Sequence, residues 1–177
     1  TTPDTETITI TITNTNPTVT DNDQSISEAQ DNSAVVATIV TTGDDTNIAW
    51  SITSGNEDTD SDGTSAFTIG AATGIITVTD EDDLDAESST GDSFTLTVQA
   101  SDQASGSANT DTESITITIT NSNPTVTDND VSLAEAQDNS AVVATIVTTG
   151  DDTGIAWSIA SGNEDTDSDG TSAFTIG

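Results

Sequence analysis

The sequence of 177 residues contains no lysine, arginine or histidine. Its 32 aspartates and glutamates give a formal net charge of −32, and no ion pair between side chains can form within the chain. A polyanion repels the phosphates of nucleic acids and the headgroups of anionic membranes, which excludes both classes of partner. Because the charge has to be balanced from solution, we expect divalent cations to be the natural counterions.

Cysteine, methionine and tyrosine are absent as well. Without cysteine there is no disulfide, and without lysine there is no isopeptide cross-link, so packing and metal ions remain as sources of stability. The lack of His, Cys, Lys and Tyr removes the usual catalytic bases and nucleophiles, and we therefore predict that the protein is not an enzyme. No apolar run of about 18 residues is present either, so we expect no direct membrane insertion by these residues.

Hydrophobicity is low and net charge is high, a combination that is typical of disordered chains. The pattern of the sequence nevertheless indicates structure. Thr and Ile alternate through residues 5–14, written TETITITITN, and apolar residues alternate through Ser93–Ser101, written SFTLTVQAS. A period of two predicts half-buried strands, and no helical period persists anywhere. The fold class predicted is all-β.

The segment NPTVTDND begins at Asn16 and again at Asn123, 107 residues later. Residues 17–70 and 124–177 are nearly identical, and residues 1–15 match the end of the repeat at 108–122. We therefore divide the chain into the last strand of one repeat (1–15), a complete repeat (16–122) and the first half of another (123–177). Since a half repeat leaves an open sheet edge and an unfilled core, we expect the molecule to extend beyond both ends as a tandem array.

Within the complete repeat, the pattern predicts seven strands, at residues 25–29, 34–41, 48–53, 67–69, 75–79, 94–101 and 113–120. Seven short strands separated by Gly, Asp and Asn turns are typical of an immunoglobulin-like sandwich. Trp50, Phe67 and Phe94 fall at apolar strand positions, and we expect them to pack in the core rather than to bind a ligand.

The complete repeat resembles cadherin-like repeats, in particular the tandem repeats of large bacterial or archaeal surface and adhesin proteins. The segment AVVATIVTTGDDTNIAWSI is similar to the family pattern V-x-x-V-x-A-T-D-x-D-x-x-N-x-x-x-Y-S-I. In the same way, FTIGAATGIITV resembles F-x-I-x-x-x-T-G-x-I, LDAE resembles L-D-R-E, and FTLTVQASD resembles a strand that ends in A-x-D. The resemblance implies tandem seven-stranded sandwiches with calcium ions at the junctions between successive repeats.

The resemblance also implies which residues would bind calcium. At the rear junction they are Glu28, Asp85 and Glu87 of the complete repeat, linker residues Asn121 and Asn123, and Asp151 and Asp152 of the next repeat. At the front junction they are Asn14, Asn16, Asp44, Asp45 and Asp102. These side chains supply the carboxylate and amide oxygens that Ca²⁺ prefers.

Two departures from the family pattern affect these assignments. The family linker D-x-N-D-N-x-P is replaced by TNTNP and NSNP, which puts asparagine at aspartate positions and removes negative charge. The family motif D-x-D has become GDD, so the sequence leaves open whether Asp44 or Asp45 is the ligand.

The stretch DTDSDG, residues 58–63, returns at residues 165–170. Asp58, Asp60 and Asp62 alternate as in a calcium loop, Gly63 would make the bend and the Thr64 carbonyl would be a further ligand. Position twelve of such a loop is Ile69 rather than glutamate, so no bidentate ligand closes it. From the sequence this stretch is either a weak calcium loop or a hydrated acidic turn.

Two classes of function remain. The first is structural, with near-identical repeats forming the calcium-stabilised shaft of an extracellular fibre or adhesin at the cell surface. Its partners would be neighbouring repeats of the same chain and identical chains in a filament or bundle. The alternative is a module that binds carbohydrate or a copy of itself. Five aromatic residues, two Trp and three Phe, offer few platforms for sugar stacking, and repetition suits a spacer, which favours the structural class.

Overall fold

The structure, a computed structural model, describes residues 3–44, 46–102, 109–134, 137–150 and 155–177. The chain divides into two compact units, Thr1–Asn121 and Ser122–Gly177. The regular elements of the described residues are all strands, as predicted. Within these ranges no helix is long and apolar enough to cross a lipid bilayer.

The first unit contains nine strands in the described residues. In chain order they are β1 (Pro17–Val19), β2 (Gln24–Ser27), β3 (Val35–Thr38), β4 (Thr41–Gly43), β5 (Ala49–Ser54), β6 (Phe67–Ile69), β7 (Ile75–Val78), β8 (Ser93–Ser101) and β9 (Thr110–Thr120). One sheet has the order β2-β9-β8-β5, with β2 parallel to β9, and a second has the order β3-β7-β6. Strands β1 and β4 form a separate antiparallel pair.

The core of the first unit depends on the two longest strands, β8 and β9. Alternate side chains of β8 are buried, namely Phe94, Leu96, Val98 and Ala100, and they lie beside buried Ile115, Ile117 and Ile119 of β9. Polar residues, most of them threonine, occupy the intervening positions of both strands. This alternation of apolar and polar residues gives the sheet one face for the core and one face for solvent, as the period of two predicts.

Aromatic side chains join the two sheets. Phe67 of β6 meets Phe94 of β8 edge to face, with ring centroids 5.1 Å apart and an interplanar angle of 88°. Trp50 of β5 is also buried, and its ring lies close to Gly74, where the backbone turns with φ of 67°. The prediction that Trp50, Phe67 and Phe94 pack in the core is therefore confirmed.

The prediction of a half-buried strand at residues 5–14 is wrong. These residues form no strand, and Ile8, Ile10 and Ile12 are 82%, 82% and 92% exposed. The matching segment of the next repeat is β9, which pairs with β2 and β8. Residues 5–14 have the same alternation but pair with no strand of the described residues. A strand pattern needs a pairing partner, which the alternation itself does not provide.

The predicted strand at 34–41 is divided in the structure. Its first part is β3, which pairs with β7, and its last residue begins β4, which pairs with β1. A register shift between Val35 and Ala37 lies within β3. The other predicted strands are present with ends that differ by a few residues, and β6 has the predicted ends. Strand β1 was not predicted, because three residues are too few to show a period.

The second unit repeats the first half of this sandwich but forms little of it. Its described residues contain two short strands, β10 (Thr125–Val126) and β11 (Thr148–Thr149), which pair as β1 and β4 do. Phe174 is 46% exposed, whereas the equivalent Phe67 is 3% exposed. Residues 123–177 include no counterpart of β7, β8 or β9, and the described residues of this unit form no sheet opposite its apolar side chains.

Gly55 and its equivalent Gly162 form a matched pair for testing the packing at the end of β5. Both have positive φ, 79° and 78°. A Cβ on Gly55 would overlap the carbonyl oxygen of Thr95, whereas nothing lies within 4 Å of a Cβ on Gly162. We expect Gly55→Ala to destabilise the first unit by about 1–3 kcal/mol from overpacking, in addition to the backbone strain that both positions share.

Urea unfolding followed by Trp50 fluorescence, in a Trp157→Phe background, measures this effect. Gly162→Ala is the control and should leave the Trp50 transition unchanged. Equal effects of the two substitutions would contradict the role of the Thr95 carbonyl.

Candidate metal sites

Carboxylates in this protein accept hydrogen bonds from backbone amides. Asp111 Oδ2 accepts from Val19 N at 2.8 Å, Asp23 Oδ1 from Thr116 N at 2.7 Å, and Glu81 Oε2 from Asn32 N at 2.7 Å. Such bonds orient a carboxylate without cancelling its negative charge. The negative charge therefore remains available to a cation.

Glu28, Asp85 and Glu87 form the first of three acidic groups in the described part of the chain. One carboxylate oxygen from each lies within 4.8 Å of the others. Glu28 is buried just after β2, and its Oε2 accepts a hydrogen bond from Ala86 N at 2.9 Å. The prediction that these three residues converge was made from the family resemblance, and the geometry brings them together.

Backbone packing holds this acidic group in place. Glu28 N donates to the Thr120 carbonyl at 3.1 Å, which fixes the residue beside the end of β9. Asp85 Oδ1 accepts from Glu87 N at 2.9 Å and from Ser88 N at 3.0 Å, which closes a tight turn. Gly91 packs against this turn, since a Cβ on it would lie 2.8 Å from the Asp83 carbonyl and 3.0 Å from Asp85 N.

The residues expected at the front junction are partly brought together. Asp102 is buried, and its Oδ2 accepts from Asn14 Nδ2 at 2.5 Å. Asn109 N also donates to Asp102 Oδ1 at 3.0 Å. The side chain of Asn14 thus reaches the end of β8, although the residues before it form no strand.

Asp44 and Asn16 lie near the pair β1 and β4. Asp44 Oδ1 accepts from Thr46 N at 2.9 Å and from Thr46 Oγ1 at 2.8 Å. A Cβ on Gly43 would lie 2.6 Å from the Asn16 carbonyl oxygen, so Asn16 passes close to the residue before Asp44. Asp44 and Asp102 belong to none of the three acidic groups of the described residues.

The remaining expected ligands are less fully defined. Asp45, Asp151 and Asp152 lie outside the described residues. Asn121 and Asn123 are exposed. Gly150 N-terminal to Asp151 has φ of 92°, and a Cβ on it would lie 2.9 Å from the Asn123 carbonyl oxygen, which repeats the arrangement of Gly43 and Asn16.

Asp58, Asp60 and Asp62 form the second acidic group, with carboxylate oxygens within 4.8 Å of one another. Asp58 organises the loop, because its Oδ1 accepts from Ser61 N at 2.7 Å and its Oδ2 from Gly63 N at 2.9 Å. Asp62 Oδ1 accepts from Thr64 N at 2.7 Å. The third group, Asp165, Asp167 and Asp169, has the same sequence in the second unit.

Asn56 closes the loop at its base. Its Nδ2 donates to the Phe67 carbonyl at 2.7 Å, and its Oδ1 accepts from Phe67 N at 3.0 Å. Asn163 makes the same two bonds to Phe174, at 2.7 Å and 3.0 Å. The loop therefore has the same local hydrogen bonds whether or not the sandwich around it is formed.

Asp83 also contacts this loop, and it was not among the predicted site residues. Its side chain is fully buried, and Oδ1 accepts from Thr59 N at 2.5 Å, Thr59 Oγ1 at 2.8 Å and Asp60 N at 3.2 Å. Asp83 is the last residue of an acidic run, DEDD at residues 80–83, that has no metal-ligand spacing. Since the contact spans 24 residues in the chain, no local signal in the sequence identifies it.

Carboxylates near Asp83 repel one another. Burial raises the pKa of Asp80, and the charges of Asp62, Asp83 and Asp60 raise it further, against a hydrogen bond from Asp82 N. The hydrogen bond from Asp62 N lowers the pKa of Asp60, but desolvation and the carboxylates of Asp62, Asp58 and Asp83 outweigh it, so that the net shift is upward. In the second unit, the hydrogen bond from Gly170 N lowers the pKa of Asp165.

Comparison with known protein families matches residues 2–120 to the cadherin domain. This match covers more than half of the chain, and the protein belongs to the cadherin domain family. Domains of this family are adhesion modules of extracellular chains and bind calcium. No curated protein sequence is matched.

Among solved structures, the chain is similar to Drosophila N-cadherin EC1-3, at 22% identity and a TM-score of 0.50, over 60% of this chain and 34% of that one. It is similar to mouse clustered PcdhgC3 EC1-3 at 18% identity and a TM-score of 0.50, over 60% and 34% of the two chains. The chain thus spans about a third of the length of these structures. At these identities the likeness supports the cadherin-like fold.

The donor set of Glu28, Asp85 and Glu87 fits calcium. Three carboxylates converge within 4.8 Å, and the sequence contains no basic side chain that could pair with them instead. Calcium takes six to eight oxygen ligands in flexible geometry, so carboxylates, amide carbonyls and water can together complete its coordination.

We expect Asn56→Ala to destabilise the first unit by about 1–3 kcal/mol, because it leaves the amide and carbonyl of the buried Phe67 without partners. Asn163→Ala removes the same pair of bonds at Phe174, where water can replace them, and should cost much less. Thermal unfolding is monitored by Trp50 fluorescence in a Trp157→Phe background for Asn56→Ala, and by Trp157 fluorescence in a Trp50→Phe background for Asn163→Ala. A larger effect of the Asn163 substitution would contradict this interpretation.

Proposed function

We propose that the protein is a structural repeat of an extracellular adhesion chain, stabilised by calcium bound at Glu28, Asp85 and Glu87. The observation that carries this proposal is the convergence of these three carboxylates within 4.8 Å in a cadherin domain. Calcium would supply there the positive charge that the sequence lacks. Glu28 and Asp85 are held by backbone hydrogen bonds before any ion binds, so little reordering is needed.

The expected residues Asn121, Asn123, Asp151 and Asp152 would complete the coordination, as the resemblance to cadherin repeats implies. Asn14, Asn16, Asp44, Asp45 and Asp102 would play the same part for a preceding repeat. The near-identity of residues 17–70 and 124–177 supports a tandem array in which each repeat adds length. Within this proposal, the array is the shaft of a microbial surface fibre or adhesin, and its partners are other repeats and identical chains.

Glu28→Gln tests the calcium site in the present chain. The glutamine keeps an oxygen that can accept from Ala86 N but removes one negative charge, and ligand charge is a main determinant of calcium affinity. We expect calcium affinity at this site to fall about tenfold or more, with little change in stability in chelator. Titration calorimetry and thermal unfolding with and without calcium measure the two effects.

Glu81→Gln is the matched control, because Glu81 makes the same type of bond to a backbone amide but belongs to none of the acidic groups of the described residues. Each melt is compared with sodium chloride at equal ionic strength, which separates site binding from screening. Equal stabilisation by calcium and sodium would show that the carboxylates are a screened surface and would refute the proposal.

A tandem polypeptide of three copies of residues 16–122 tests the structural role. We expect its maximum dimension in small-angle scattering to be well defined in millimolar calcium and to change on chelation, since junction ions would fix successive repeats. Glu28→Gln in every copy should abolish the calcium dependence. If the distance distribution is the same with and without calcium, the proposed role as a calcium-stabilised shaft is contradicted.

A further inference from the structure

Asp83 has a feature that the junction calcium does not explain. Its Oδ2 is the one buried side-chain oxygen or nitrogen that lacks a hydrogen-bond partner among the described residues. Leaving a buried charged oxygen without a partner is unfavourable, and native proteins rarely do so without a reason such as a bound ion or water. In this chain no cationic side chain exists to approach it.

The Asp83 carboxylate faces the acidic loop of residues 58–63. Three hydrogen bonds from Thr59 and Asp60 hold Oδ1 against the loop backbone, and the second oxygen belongs to the same planar group. The charges of Asp60, Asp62 and Asp83 also act on buried Asp80. Acidic groups from two distant segments, residues 58–63 and 80–83, therefore accumulate at one place.

We propose that the loop of residues 58–63 and the Asp83 carboxylate together bind one calcium ion within the repeat. Asp58, Asp60 and Asp62 supply carboxylate oxygens from the exposed side. Asp83 lies beneath the loop and does not belong to their 4.8 Å group, so its Oδ2 would move toward the loop when the ion binds. The Thr64 carbonyl and water complete the coordination. This site is separate from the group of Glu28, Asp85 and Glu87, and it does not depend on a neighbouring repeat.

The donor set selects calcium over other cations. All donors are hard oxygens, which excludes the metals that need nitrogen or sulfur. Irregular carboxylates from a loop and a buried segment suit the flexible coordination of calcium better than the strict octahedron of magnesium. Since no glutamate stands at position twelve, affinity of about 10⁻⁴ to 10⁻³ M is expected, as in extracellular modules.

The second unit contains a natural control. Residues 163–174 repeat the twelve residues of the first loop. They form the same clamp, the two hydrogen bonds between Asn163 and Phe174, and the same bond from Gly170 N to Asp165 Oδ2. The position equivalent to Asp83 lies beyond Gly177, outside the 177 residues of the protein tested. If Asp83 is required, the second loop binds calcium much more weakly than the first despite its identical sequence.

Titration of the calcium-stripped 177-residue protein with calcium chloride tests the site. We expect Asp60→Asn with Asp62→Asn to remove one binding event and to leave the β-sheet circular dichroism unchanged. The matched pair Asp167→Asn with Asp169→Asn should leave that event in place, and so should Glu28→Gln. Magnesium chloride at equal concentration should produce a weaker event or none.

If the two pairs of substitutions each remove one calcium-binding event of equal affinity, Asp83 is not needed for binding. That result would overturn the proposal. An unchanged titration after the Asp60 and Asp62 substitutions would show that the stretch is an acidic turn. Failure of the junction site has a different signature, because it would leave Glu28→Gln without effect while the loop event remained.

Asp83→Asn separates binding from a purely structural role. It keeps an oxygen for Thr59 and Asp60 but removes the charge, so the shift in melting temperature caused by calcium should become smaller than in the parent protein. The amount by which the melting temperature of the variant falls below that of the parent should therefore be no larger in chelator than in calcium. If Asp83 acts only in packing, the substitution lowers the melting temperature equally with and without calcium, and that result would refute the proposal.

Discussion

The structure depends on one imbalance of charge: the chain carries 32 carboxylate side chains and no cationic side chain. Hydrogen bonds from backbone amides and polar side chains are the internal partners of its carboxylates, as at Glu28, Asp58 and Asp102. These bonds fix the orientation of each carboxylate, but they do not cancel its charge. Turns that are closed by aspartate therefore serve both as structural elements and as partly prepared ligands for a cation.

Two near-identical segments show how much of the fold is non-local. The clamp of Asn56 on Phe67 is reproduced by Asn163 on Phe174, with the same distances. Burial is not reproduced, since Phe67 is packed against Phe94 and Phe174 is largely exposed. Local hydrogen bonds are thus specified by the segment itself, whereas the core requires the later strands β7, β8 and β9.

The sequence was sufficient to predict features with a clear local pattern. Strict alternation located β8 and most of β9, and the aromatic residues of strands were correctly expected in the core. The same alternation was misleading at residues 5–14, because it reports which residues suit a strand and not whether a partner strand is present. The division of residues 34–41 between two sheets was not predictable either, since no Gly, Pro or other turn residue separates the end of β3 at Thr38 from the start of β4 at Thr41.

Prediction of the metal sites has the same limit. The family motifs identified Glu28, Asp85 and Glu87 although they are distant in sequence, because the family pattern already contains the three-dimensional contact. The stretch DTDSDG was found by its spacing, but spacing cannot distinguish a calcium loop from an acidic turn. One difference between the two copies of the loop is the residue beneath the first copy, Asp83, whose contact with Thr59 joins segments 24 residues apart on either side of β6 and β7. The second copy keeps the bond from Gly170 N to Asp165 Oδ2 without a carboxylate equivalent to Asp83. The proposed difference in calcium affinity between two identical loops therefore comes from the surrounding sandwich rather than from their own residues.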